Sequence, residues 1–383
     1  MKILSFLRSP QYMTYATMVW LVSFLFISGS QRHNNFSYLI LLLPTLLSLQ
    51  LSEITRFFKH RLGVLLLACI VSLTFADYLN AGSPLIQLKF GLIVILFFIA
   101  IARLPIIDDA SAYKAAWAYL VLIFVYVLFN IAKQHLYDGW EIGQRLGELT
   151  SKLENVNYVA STMGALLAAI TYLGLRKGKL LSIAVANGLV FILSITVLQS
   201  RTSILIWIVI AILISIMLYK NDQLAKLIKP LSWAAMIFLL VLAVIYLSPI
   251  GDSLANRKLY RTEIWVGYIV ETLRCGVWFG CGNEHPFRFV TLDGNIMVHA
   301  HNLFLMQFYK SGLVGMVSLL GLTLAGLHLA FKDKPWIAWY LCAGLVGLSL
   351  DGSTLIHSPS QRWLLFHFPL ALLMSQTFKK PKE

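Results

Sequence analysis

His299-Ala300-His301-Asn302 stands where a polar stretch of chain gives way to the apolar run Leu303-Phe304-Leu305. Ionisable side chains at such a border carry a desolvation cost and are functional candidates. A neutral imidazole there can take a proton from a hydroxyl. Two arginines accompany it, one at the start of an apolar run and one within the polar stretch. Arg201 lies in Gln199-Ser200-Arg201-Thr202, and Arg261 opens Arg261-Thr262-Glu263-Ile264-Trp265. Guanidinium groups keep their charge at any working pH and grip phosphate oxygens with paired hydrogen bonds. Singly, these residues also read as a wet helix end, a snorkelling side chain and a solvated loop charge. Together they describe an anion site with a base beside it.

Of the two histidines, His301 is the expected general base. It directly precedes the apolar helix, and both the helix N-terminus and nearby arginines disfavour the imidazolium. No Asp-x-Asp pair lies among the polar segments, so neither a divalent metal nor any other cofactor is expected. A zinc set of His299, His301, His285 and His357 is the contrary arrangement, but its spacing matches no standard site. Cys275 and Cys281, six residues apart, could form a disulfide on an oxidising face.

These residues need a scaffold, and the composition says which kind. Of 383 residues, 58% are hydrophobic and 13% charged, with a mean hydropathy of +0.76. Soluble domains carry about twice that charge. The apolar runs are continuous, not alternating, which excludes a closed barrel. The fold class is therefore all-α, a polytopic membrane protein with about twelve spans of roughly 20 residues. They are expected at 12–29, 37–52, 62–79, 86–103, 112–131, 157–175, 180–198, 202–219, 231–249, 311–331, 335–350 and 362–378. The first is read as an uncleaved span, since no small-residue cleavage site follows it.

Loop charge sets the expected orientation. One set of segments, including both termini, holds 18 of the 31 Lys and Arg but only six of the 17 acids. That side is expected to be cytoplasmic. The net charge of +14 is thus a topology signal, and no nucleic-acid surface is expected. The opposite face carries two hydrophilic segments. In 132–156, the spacing of Ile142, Leu146 and Leu149 predicts a helix lying on the membrane surface. In 250–301, the larger, Ile264, Trp265, Tyr268, Ile269 and Leu273 recur at helical spacing. The whole chain reads as one membrane domain, with 250–301 carrying the site.

Five motifs in order resemble the O-antigen ligase superfamily: Ser200-Arg201-Thr202, Arg261-x-x-x-Trp265, Phe279-Gly280-Cys281-Gly282, His299-Ala300-His301-Asn302-Leu303 and Gly312-Leu313-Val314-Gly315. The resemblance covers about 199–315; the first half matches only in span count. It implies an inverting glycosyltransferase at the periplasmic side of a bacterial inner membrane. The donor would be a glycan on undecaprenyl diphosphate, and the acceptor a sugar hydroxyl of lipid A core. Relatives use a protein hydroxyl or the growing glycan. Arg201 and Arg261 would then stabilise the leaving diphosphate. His299 would orient the acceptor, and Asn302 would hold His301 or bind sugar. Trp265 and Trp278 would stack on sugar faces or anchor at the interface. Gly280 and Gly282 would let backbone approach the diphosphate or simply turn the chain. Arg257, Lys258, Arg274 and Arg288 are further phosphate candidates. A membrane transporter is the non-enzymatic alternative; it would show polar, broken spans near the midplane.

Overall fold

A computed structural model describes residues 2–141, 143–220, 260–291, 294 and 296–378. The protein is an all-α, multi-pass membrane protein. Among the described residues, seven helices are long and apolar enough to cross a membrane. They are Arg61–Leu79, Pro84–Ala102, Asp109–Tyr137, Val156–Arg176, Leu180–Val197, Arg201–Tyr219 and Leu303–Asp333. An eighth candidate is the pair Ser30–Leu47 and Leu51–Lys59, bent by 105°. Shorter helices occupy the other expected spans: Pro10–Phe26, Pro335–Asp351, and a π turn at Trp363–His367 continuing into Phe368–Phe378. The expected span at 231–249 lies outside the described residues.

Local chemistry explains the boundaries. Asp108 caps the Asp109–Tyr137 helix by accepting from the N–H groups of Ala110 at 2.7 Å and Ser111 at 2.9 Å. Pro44 has no N–H to give the preceding turn, and a π turn at Tyr38–Leu42 absorbs the mismatch. The sharp bend beyond Leu47 is held by Arg103, whose guanidinium grips the Glu53 carboxylate at 2.8 and 2.9 Å.

Val156–Arg176 is the axis of the bundle. Of its spanning window 89% is buried within the protein, against 33–50% for the other spans. Pro335–Asp351 packs along it most extensively, while Leu303–Asp333 packs along Arg61–Leu79. A second, smaller apolar core lies outside the main one. It joins Ile264 and Tyr268 of helix Arg261–Cys275 to Cys281, Ala300, Met306 and Tyr309. A two-stranded hairpin, Phe289–Val290 against Ile296–Met297, returns the chain toward His299. Cys275 and Cys281 are bonded as a disulfide.

Two expectations are corrected. The 132–156 segment is not a surface helix. The preceding helix runs to Tyr137, and the chain is irregular from Asp138 to Asn155. Leu146, Leu149 and Leu153 are buried, and backbone bonds from Leu146 to Val197 and from Leu153 to Phe24 stitch the segment onto the bundle. Ile142 lies outside the described residues. The leucine spacing therefore reflects burial from irregular backbone, not an amphipathic helix.

The second correction concerns 311–331. The helix begins earlier, at Leu303, and is interrupted at Ser311 and Gly312. The break is filled by the 277–282 loop. Leu313 N–H donates to Val277 at 2.8 Å and Val314 N–H to Trp278 at 3.2 Å. In return, Cys281 N–H donates to Tyr309 at 2.8 Å and Gly282 N–H to Lys310 at 3.0 Å. Helix groups freed by the break are thus satisfied by protein backbone. Gly312 sits at φ +62°, and a Cβ there would lie 2.3 Å from the Trp278 carbonyl. Gly188, within Leu180–Val197, has open space around it.

Gly312→Ala is therefore expected to destabilise the purified protein by several kcal/mol through strain and overlap, roughly 1–3 kcal/mol each. Gly188→Ala should be neutral or stabilising by up to about 1 kcal/mol. Thermal unfolding in one detergent measures both; equal midpoints would remove the docked break from the account.

Candidate functional site

The Asp351 carboxylate is where the separate helices meet. It lies at the C-terminal end of Pro335–Asp351 and is 6% exposed. Arg261 Nη2 donates to Oδ1 at 3.2 Å. Asn157 Nδ2 reaches the same oxygen at 3.4 Å, and the Thr202 hydroxyl donates to Oδ2 at 3.3 Å. The Tyr158 hydroxyl donates to the Asp351 backbone carbonyl at 2.6 Å. His301 Nδ1 stands 3.8 Å from Oδ1. Asn157, Thr202 and Arg261 each lie in the first turn of their own helix, where backbone N–H groups leave positive potential. One carboxylate therefore neutralises several helix N-termini at a single point.

Some of the expected residues lie at this carboxylate and others lie elsewhere. Arg261 and His301 come together on Asp351. Arg201 opens helix Arg201–Lys220, one residue before Thr202. The hydroxyls of Ser200 and Ser203 around it are buried with no hydrogen-bond partner among the described residues. His299 and His301 lie side by side, with ring centres 4.0 Å apart. Asn302 is the N-cap of the following helix, its side-chain oxygen accepting from Leu305 N–H at 3.0 Å. Trp265 donates its indole N–H to the Ala300 carbonyl at 2.9 Å, tying the histidine loop to helix Arg261–Cys275. Both residues thus position the histidine loop. Trp278 is 61% exposed on the surface.

Gly280 and Gly282 make close contact with the chain itself. A Cβ on Gly280, at φ +66°, would lie 2.5 Å from the Tyr309 carbonyl. One on Gly282 would lie 3.1 Å from the Asp77 carboxylate. Both belong to the loop docked into the helix break, and Gly280 turns the chain there. Arg274 is exposed and pairs with Glu271 at 3.3 Å; Arg288 is exposed. Arg257 and Lys258 lie outside the described residues.

His301 adopts φ +51°, a left-handed conformation costly for a residue with a Cβ. Such strain persists where the surroundings fix it. Here the Trp265 bond on one side and the Asn302 cap on the other do so. Burial, with the adjacent His299 and the Arg261 charge, lowers the His301 pKa from 6.5 to about 4. Burial and the charges of Arg362 and Lys310 also lower that of His299. Both imidazoles are neutral at neutral pH, so His301 and Asp351 are neighbours and not an ion pair. A neutral imidazole with a carboxylate behind Nδ1 presents Nε2 as a proton acceptor.

The four-histidine zinc set is not assembled. His285 lies instead 3.0 Å from Glu271 and beside Cys275. Among the described residues, the group with metal-ligand proximity is Cys275, Cys281 and His285. Its two sulfurs are joined to each other, so neither is a thiolate.

Sequence reasoning placed Asp351 in none of its motifs. It passed over Asn157 and Arg145, whose guanidinium donates to Asn157 Oδ1 at 2.9 Å and to the Leu198 carbonyl at 3.2 Å. Asp351 ends an otherwise apolar run of helix, and that isolation was its one visible signal.

No family model matches the chain. A curated O-antigen ligase from Pseudomonas aeruginosa is similar to it, 25% identical over 123 residues. The match covers 30% of this chain and 29% of the length of that relative.

Proposed function

We propose that this protein is a lipid-linked-oligosaccharide glycosyltransferase of the O-antigen ligase type. It moves a glycan from undecaprenyl diphosphate to a sugar hydroxyl of lipid A core. The observation that carries this reading is the convergence of Arg261 and a neutral His301 on Asp351, beside the helix that Arg201 opens. The partial similarity to a curated O-antigen ligase supports it. Donor and acceptor both belong to the membrane surface, and the active side is periplasmic, with both termini cytoplasmic.

The chemistry follows from the groups. The acceptor hydroxyl is a poor nucleophile until its proton is removed. His301 Nε2 takes that proton, and Asp351 stabilises the imidazolium as it forms. The oxygen attacks the anomeric carbon from the face opposite the diphosphate, so configuration inverts. Charge then develops on the departing diphosphate, where Arg201 and Arg261 stabilise it. His299 orients the acceptor.

A protein hydroxyl or a growing glycan is the alternative acceptor within this reading. The transporter reading draws on the broken helix at Ser311–Gly312. That break is closed by the backbone of 277–282, whereas a transporter's broken helix opens its freed groups to substrate. Purified protein in lipid, given a lipid-diphosphate glycan and candidate acceptors, tests all of these together. Transport without transfer would favour the other class.

Arg201→Ala and Arg261→Ala should each slow transfer by about 100-fold or more. Arg→Lys should also impair, since a point charge cannot reproduce the guanidinium fork. Near-parental turnover in an alanine variant would remove that arginine from the site. His301→Ala should lose about 10²–10⁴-fold in rate, far more than His299→Ala, while donor binding persists in both. If His299→Ala is the dead variant, the base is His299.

The parent's pH profile is a separate check. The folded His301 pKa, about 4, lies below the ordinary 6.5. The imidazole therefore stays neutral as pH falls through 6.5, and the rate should decline only as pH approaches about 4. For stability, the unfolded chain binds a proton at His301 below 6.5 that the folded chain refuses until about 4. This contribution is complete above pH 6.5 and is lost as pH falls through that window. An acid limb centred near 6.5 would contradict a buried neutral base.

Topology has its own measurement. A cysteine introduced at Asn283 should label from outside intact cells, and cysteines in 53–61 and 176–179 only after the membrane is opened. The reverse pattern would place the site in the cytoplasm.

A further inference from the structure

Lys310 and Arg362 are two cations that the mechanism above does not use. Lys310, 8% exposed, ends the helical turn before the break at Ser311. Arg362, half-buried, precedes the π turn at Trp363. Both hold the same residue. The Lys310 ammonium donates to the Thr354 hydroxyl and to the Asn283 side-chain carbonyl. Arg362 Nη1 donates to the Thr354 carbonyl at 2.7 Å and to the Ser353 hydroxyl, and its Nε to the Ser360 hydroxyl at 3.0 Å.

Every one of these acceptors is neutral. The Asp77 carboxylate acts on Lys310 by charge without a hydrogen bond to it, and accepts instead from the Asn283 backbone N–H. A third buried cation, Lys152, donates to the Ser30 hydroxyl at 2.6 Å, with Glu154 as its acidic neighbour. The surroundings register the excess. Burial and the charges of Arg362, Lys310 and Lys152 hold His357 at about 4. The buried Nδ1 of His299, whose ring feels the charges of Arg362 and Lys310, has no hydrogen-bond partner among the described residues. Arg362 Nη2 likewise donates to nothing among them.

Buried cations with no carboxylate hydrogen-bonded to them are costly. They are tolerated where an arriving anion supplies the missing charge, and a guanidinium with a spare edge beside an ammonium matches a phosphate group. We infer that Lys310 and Arg362, fastened together through Thr354, form a second oxyanion subsite that takes a phosphate group of the substrate. The inference rests on the transferase reading for its substrate. Arg201 and Arg261 serve the phosphate at the breaking bond, and this subsite holds the next phosphate of the lipid diphosphate.

The test is binding to the full chain in detergent, with polyprenyl monophosphate, polyprenyl diphosphate and inorganic pyrophosphate as probes. The parent should prefer the lipid diphosphate over the monophosphate by at least about tenfold, one to two charge-assisted hydrogen bonds' worth. Lys310→Met and Arg362→Met should each bring that ratio near one while monophosphate binding persists, and Arg362→Lys should restore part of it. Parent-like elution and unfolding midpoints establish that the variants fold. Should Lys310→Met fail to fold, Arg362→Met and Arg362→Lys decide. If binding of every probe is unchanged in the folded variants, and transfer too, the subsite is refuted. An unchanged ratio with transfer lost only toward phosphate-bearing acceptors assigns the subsite to the acceptor's phosphate. If the variants lose inorganic pyrophosphate binding but the parent transfers no glycan, the subsite stands and the transferase reading falls.

Discussion

A single buried carboxylate organises this protein. Asp351 is out of water, and a lone ion there would cost several kcal/mol. The fold offsets that cost by bringing Asn157, Thr202 and Arg261 to it from separate helices. Those residues are far apart in sequence, and apolar packing alone gives their helices little reason to align at one level. In lipid, apolar surface gives no preference for one sliding position over another. A polar knot at one end does. The carboxylate therefore sets the depth at which these helices meet, and with it the geometry around His301.

The histidine loop is fixed from two directions. The Trp265 bond to Ala300 anchors it to helix Arg261–Cys275, and the Asn302 cap anchors it to the next helix. The 277–282 loop locks those two helices together through the break at Gly312. A left-handed His301 is the residue on which these constraints converge. Constraints of this kind hold a side chain in one geometry, as the proposed role of His301 requires.

Membrane character and most helices were legible because length and hydropathy dominate in lipid. His301 and Arg261 stood out in the sequence only in combination, since each alone has a bland reading. Three things were hidden. Ile142, Leu146 and Leu149 looked periodic, yet Leu146 and Leu149 are buried from irregular chain; spacing does not distinguish these cases. The break at Gly312 is satisfied by a loop some thirty residues upstream, which no local pattern encodes. Asp351, Lys310 and Arg362 are each a solitary charge beside apolar sequence. Their meaning lies in which partners surround them, and that is a property of the packed helices alone.

The axial helix has a consequence for how the protein is made. Among the described residues, Val156–Arg176 is the least apolar of the seven long spans, at a hydropathy of 1.5 against 1.9–2.6 for the rest, yet the most enclosed. Alone in a bilayer it would expose Asn157, Ser161, Thr162 and Thr171 to lipid. Its main packing partner, Pro335–Asp351, is synthesised much later. During biogenesis this helix is a guest without its host. It must be sheltered, by the insertion machinery or by the helices already made, until the C-terminal third of the chain arrives to enclose it. Defects in that third should consequently appear first as degraded protein.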